Sequence, residues 1–169
     1  MYKRQEWDAA DYDYNVVRWS SEPDGNLLGI GPSVSNPLTG EIISADVVNK
    51  LLAIKLGYNY RKLYGYTEDN DPLMQYITNL TLHEVGHVLG LRHNFRGSYL
   101  YSPDEIHDKN ITGNVLMSSV MDYDPINIAP EGVEQGIYFS TEPGVYDKWA
   151  VKFGYTPNLT DEERTALLQ

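Results

Sequence analysis

Hydrophobic and polar positions change period several times along the chain, and each change predicts an element. "NVVRWS" (Asn15 to Ser20) is rich in β-branched and aromatic residues and reads as a strand. "LLGIGPSVS" and "EIISADVV" flank "NPLTG", whose Pro37 and Gly40 supply turn chemistry, so residues Leu27 to Val48 form a predicted hairpin. The glycines and Pro32 in its first arm mark an irregular or edge strand. From Asn49 to Tyr64, leucines and tyrosines recur at helical spacing. A second helix follows from Pro72 to Leu89, with Asp71 as its N-cap and Pro72 at its first position. Residues 95–137 are rich in Gly, Pro and Asn and read mostly as loop. A last long helix covers Val145 to Phe153, and "TDEE" after Leu159 resembles the capped start of a short one. There is no internal repeat and no low-complexity run.

Composition narrows the function classes. At 169 residues and 41% hydrophobic content the chain suffices for one folded domain. A formal net charge of −11 argues against nucleic acid or an anionic membrane as the main partner. With no cysteine there is no disulfide framework, no Cys-based zinc finger and no thiol nucleophile. The opening "MYKRQEWDAADYDY" is polar where a signal peptide needs an apolar core, and no window approaches a membrane-spanning length. The expectation is either a cytosolic protein or a piece of a longer, exported precursor. Nothing in the pattern sets an oligomeric state.

The candidate chemistry lies in "LTLHEVGHVLGLRHNF", Leu80 to Phe95. His83 and His87 share a helix face at i and i+4 and can aim two imidazoles at one metal ion. Glu84 lies about 100° round the helix, too far to be a natural ligand but within reach of a water on the metal. A third ligand has to come from elsewhere. Ten residues beyond His83, on a continued helix, His93 would sit more than two turns up the axis. Gly90 can take the left-handed conformation that ends a helix, turning His93 back beneath the ion. Three neutral imidazoles leave a coordination position open for water, the mark of a catalytic zinc site. The competing view is that HExxH occurs by chance in a charged helix, which leaves the offsets of Gly90 and His93 unexplained. His107 has no such context and reads as a loop residue. The acidic run Glu68, Asp69, Asp71 fits a capped helix start better than a calcium site.

"HEVGHVLGLRH" matches the H-E-x-x-H-x-x-G-x-x-H signature of the metzincin zinc peptidases. "SSVMDY" (118–123) resembles the clan's Met-turn, with Met121 as the apolar floor beneath the metal. Tyr123 resembles the metal-linked tyrosine of astacin-like and serralysin-like members. A phenol there either ligates the resting zinc and then swings to the oxyanion, or is simply a buried anchor of the turn. "YDKWAVKFGY" is similar to the clan's C-terminal helix, with Asp147, Ala150 and Val151 in its Asp-x-x-Ala-Ile places and Asp147 structural. More narrowly, "NPLTGEIISADV", "LRHNF" and "SSVMDYDPINIAP" resemble large bacterial zinc-dependent metalloproteases that carry a met-zincin-type domain. The likeness runs from about residue 15 to 155.

That resemblance implies an α+β, metzincin-like zincin fold. Its small upper sheet and active-site helix occupy about residues 1–90. The Met-turn and C-terminal helix lie in a loop-rich lower subdomain over about 91–169. The whole 1–169 stretch would be a single catalytic domain, a segment of a larger protein. The implied activity is zinc-dependent peptide-bond hydrolysis: one Zn2+ per chain on His83, His87 and His93, Glu84 as general base, and a peptide or protein substrate aligned along the Leu27–Val48 hairpin. Export to a periplasm, cell surface or the extracellular space is implied by the resemblance alone. About 80 residues precede His83, short for a full upper subdomain. A cysteine switch within the chain is excluded. Two rival enzyme readings fare worse. Glu105, 18 residues beyond His87, is near the spacing of a thermolysin-like third ligand but leaves Gly90 and His93 idle. Peptide deformylase needs a cysteine ligand. The rival from another class is an inactive metzincin-fold module that binds peptide and keeps its zinc.

Overall fold

The computed structural model describes residues 8–21 and 27–169. Met1 to Trp7, half of the stretch read above as lacking a leader's apolar core, lie outside them. The architecture is α+β. One small sheet comes first, two packed helices follow, and a long, loop-rich region closes with two further helices.

The sheet is built on β4 (Ile42–Lys50), whose Ala45, Val47, Val48 and Asn49 are buried. The predicted hairpin forms, with its first arm in two pieces. β2 (Gly29–Ile30) and β3 (Ser33–Ser35) both pair antiparallel with β4. Pro32 lies between the pieces, and its carbonyl accepts from the Asp46 N–H at 3.1 Å, so the arm keeps its course along β4. At the turn, the Asn36 side chain accepts from the Leu38 N–H at 2.9 Å, and Gly40 takes a φ of 76° that a side chain would resist. β1 (Val16–Ser20) lies on the other side of β4 and runs parallel to it, Val16 opposite Asp46. Periodicity announces that strand but not its partner, because parallel pairing depends on a distant segment.

β4 passes directly into α1 (Leu51–Tyr64). Asn49 and Lys50, read from sequence as the helix start, are strand residues because they pair with Trp19 and Ser20. α2 (Pro72–Val88) begins where expected. The Asp71 carboxylate accepts from the Leu73 N–H at 3.0 Å and forms an ion pair with Arg61 of α1. The two helices approach closely at Gly57, where a Cβ would come within 2.7 Å of Leu73. Ala53, Tyr76, Tyr138 and Phe139 form the buried core beneath them, the Tyr76 and Phe139 rings 5.1 Å apart.

Residues 91–144 carry little regular structure, a 3-10 turn at Gly97–Tyr99 and the four-residue α3 (Lys109–Thr112). Buried polar side chains supply what a backbone ladder would. Gln75 of α2 accepts from the Tyr138 and Phe139 N–H groups at 2.7 and 3.2 Å, and the Ser140 hydroxyl accepts from the Leu116 N–H at 2.9 Å. The chain ends in α4 (Val145–Tyr155) and α5 (Asp161–Leu167), the latter opened by the expected Thr160–Glu163 capping box. Among the described residues no helix is long and apolar enough to cross a membrane.

Candidate metal centre

α2 carries His83 and His87 one turn apart and then stops. Gly90 has a φ of 83°, the Leu91 N–H donates to the Gly86 carbonyl at 3.0 Å, and the Gly90 N–H donates to that of His87 at 2.9 Å. This pair of bonds is a Schellman ending, which closes a helix through a left-handed residue. The turn does more than reverse the chain. The Leu91 carbonyl it presents accepts from His87 Nδ1 at 3.0 Å, fixing that ring with Nε2 free. His83 is held in the same way, its Nδ1 donating to the Val120 carbonyl at 2.7 Å. The Asn94 N–H donates to the Met121 carbonyl at 3.0 Å, tying the segment after the turn to residues 118–122 and bringing His93 back.

One nitrogen from each of His83, His87 and His93 lies within 4.8 Å of the others. His87 Nε2 and His93 Nε2 are 3.1 Å apart. Two ring lone pairs facing each other repel unless a proton or a cation lies between them. Ligands at 2.0–2.1 Å around a tetrahedral zinc ion sit about 3.3 Å apart. The donor set therefore fits such an ion. Burial holds the His83 ring below its ordinary pKa, helped by His87 and His93 and opposed by the Val120 carbonyl. Burial, with His87 nearby, lowers His93 as well. Both shifts favour the neutral, ligating form.

Glu84 is buried beside the cluster, and burial raises its pKa, with His87 pulling the other way. The irregular hairpin arm crosses directly over it. A Cβ on Gly29 would stand 2.8 Å from Glu84 Oε1, and one on Gly31 only 2.2 Å from the Glu84 carbonyl oxygen. These glycines let the strand lie against the helix, a close approach that glycines inside a strand pattern can signal.

Met121 is fully buried under α2, and a Cβ on Gly86 would meet its sulfur at 2.3 Å. Its turn is clamped from α4. The Asp147 carboxylate accepts from the Ser119 hydroxyl at 2.6 Å and from the Val120 and Gly144 N–H groups at 2.8 and 2.9 Å. The Val120 peptide thus links Asp147 to His83. Asp122 is buried and accepts from the Ser98 N–H at 3.0 Å. Tyr123 is 62% exposed, not buried in the turn, and its hydroxyl lies 2.7 Å from His93 Nε2. Glu105 takes no part here. It accepts from the Ser102 N–H and hydroxyl, which lower its pKa, and lies outside the histidine cluster. His107 lies in the loop before α3, also outside the cluster.

The histidines open onto a cleft of about 790 Å³ between the Leu27–Pro32 arm, α2 and residues 122–125. One of its lining groups escaped the sequence reading. Burial pushes the Asp124 carboxyl up to about 7, its own backbone N–H opposing and Asp122 adding to the rise. A lone acid in a loop carries no periodic signal that could have marked it. Tyr76, also in the lining, is pushed up to about 12 by burial, with Tyr60 and Asp124 nearby.

No curated protein and no solved structure matches the chain. The sequence profile of one family, described as Met-zincin, does match, over residues 66–169. That span holds all of α2, the three histidines, the Met121 turn and both closing helices, and it exceeds half the chain. The chain belongs to the Met-zincin family, and with it to the metzincin-like zinc metalloprotease domains.

Proposed function

We propose that this domain is a zinc-dependent endopeptidase, with one ion per chain held by His83, His87 and His93. When bound, the ion supplies Lewis acidity and an acidified water to the cleft. Glu84, buried beside the cluster, would serve as the general base, its carboxylate holding a proton taken from an attacking water and handing it to the leaving amine. Its buried setting supports the role, since a base with a raised pKa is better matched to proton transfer near neutral pH. The Tyr123 phenol, exposed and already against His93, can donate a hydrogen bond to the oxyanion as charge develops there. Met121 and Asp147 act through the histidines, by packing under α2 and by fixing the Val120 carbonyl.

The Leu27–Pro32 arm borders the cleft while β4 pairs with its other edge, so an extended peptide can add to it as a further strand. That division gives the two-layer reading of the fold, sheet and α2 above, Met-turn and α4 below, with the whole chain as one catalytic segment. The resemblance carries export with it, to a periplasm, cell surface or the extracellular space.

The observation behind the proposal is the convergence of three ring nitrogens within 4.8 Å, next to a buried glutamate, on the wall of a cleft. The test is Glu84→Gln, assayed for zinc content and for digestion of a mixed peptide set. Zinc retained with turnover lost supports the assignment. Full activity in the variant removes Glu84 as the base. Zinc bound by the unaltered chain with no cleavage of any peptide makes the domain a binding module instead.

A further inference from the structure

Besides the histidines, Leu56 and Tyr60 of α1, Asn79 of α2 and Phe139 line the cleft, most of them apolar or aromatic. Asp124 also lines it. Its carboxylate has one side-chain partner among the described residues, the Asn79 amide at 3.4 Å, and that amide is shared with the Ser140 carbonyl at 3.3 Å. A carboxylate can accept about four hydrogen bonds, so this long bond and one from its own backbone N–H leave about half of its capacity unused. Among the described residues no lysine or arginine lines the cleft. Of the other acids there, Asp122 accepts from the Ser98 and Tyr123 N–H groups, and Glu84, beneath the Gly29–Gly31 arm, is the base of the proposed reaction.

An apolar wall with an acid that has lone pairs to spare matches a long aliphatic stem that ends in a positive charge. We infer that Asp124 makes this part of the cleft the seat of a lysine or arginine side chain of the substrate. The inference rests on the peptidase reading for its setting but not for its chemistry. Asn79 would hold the carboxylate in place while the incoming ammonium or guanidinium takes the remaining lone pairs. The net charge of −11 adds a general attraction for cationic peptides.

The test uses three pools of fluorescent, end-capped hexapeptides, each with lysine, norleucine or glutamate fixed at one position that is scanned along the peptide. Their binding to the zinc-loaded Glu84→Gln chain is measured by anisotropy, so no turnover is needed. At one position the lysine pool should bind about tenfold or more tighter than norleucine, with glutamate weakest. Asp124→Asn should bring lysine to within about threefold of norleucine and leave norleucine binding unchanged, which also reports that the cleft is intact. Equal binding of lysine and norleucine to the unaltered pocket overturns the inference without any variant. So does a lysine preference that survives Asp124→Asn. Cleavage by the wild-type chain, read on the same pools, is a separate outcome. Hydrolysis without lysine preference leaves the peptidase standing and removes the Asp124 role, and lysine preference without hydrolysis does the reverse.

Discussion

His93 contributes one of only three nitrogens in the cluster, and it is the exposed one. Removing an outer-shell partner of a metal ligand costs roughly 10–100-fold in affinity. His93→Ala should cost more than that, read by titration of zinc against a competing chelator. Unchanged affinity would break the tripod. Tyr123→Phe separates two roles for a residue whose phenol rests on His93. With the ring largely in solvent, loss of the hydroxyl should leave stability and zinc content unchanged while kcat falls about a hundredfold. At this scale the histidine cluster and the Gly90 turn were legible because each residue stands at an offset that ligand geometry and helix termination require. Gly86 and Asp124 were not. The first matters through a sulfur atom from a segment 35 residues on, and the second through a pocket assembled from five separate segments.

The elements that announced themselves were those whose stability is local. α2 is opened by Asp71 and Pro72 and closed by Gly90, and α5 by Thr160 and Glu163, all readable within a few residues. β1 was readable as a strand, but its parallel register on β4 depends on pairing across 30 residues. Two glycine substitutions test how α2 is held. Gly90→Ala meets a φ of 83° and should cost about 1 kcal/mol in urea unfolding while loosening the Leu91 carbonyl's hold on His87. Gly86→Ala should cost about 1–3 kcal/mol, because the added carbon meets Met121 in a fully buried site. At the other end of α2, burial alone would raise the Asp71 carboxyl, but Arg61 and the Leu73 N–H together hold it below its ordinary value. A depressed native pKa contributes stability that is present above the unfolded value of 3.8 and lost as pH falls through the native one. Asp71→Asn keeps a capping oxygen and loses the ion pair. Its unfolding free energy should therefore be lower than wild type at pH 7 and fall less steeply below about pH 4. Parallel acid profiles would remove the pair as a source of acid sensitivity.

Across the whole molecule, the loop-rich region between α2 and α4 is held by buried polar bonds and by the tie between His93, the Met121 turn and Asp147, with few backbone ladders. A ligand that binds the folded chain alone stabilises it by about 2.7 kcal/mol at a hundred times its dissociation constant. Zinc should accordingly raise the melting temperature in a concentration-dependent way, and a chelator should reverse the rise. The sheet half escapes the Met-zincin profile, which begins at residue 66, yet it supplies the strand that lies over Glu84. The cleft is thus a joint product of the profiled helices and the small sheet before them. The most direct measurement of the central claim is anomalous scattering at the zinc edge on crystals of the zinc-loaded chain. One peak per chain within bonding distance of His83, His87 and His93, with the Glu84 carboxylate outside the inner sphere, is the predicted result. A peak elsewhere, or a His93 ring turned to solvent away from the other two with zinc bound, would contradict it.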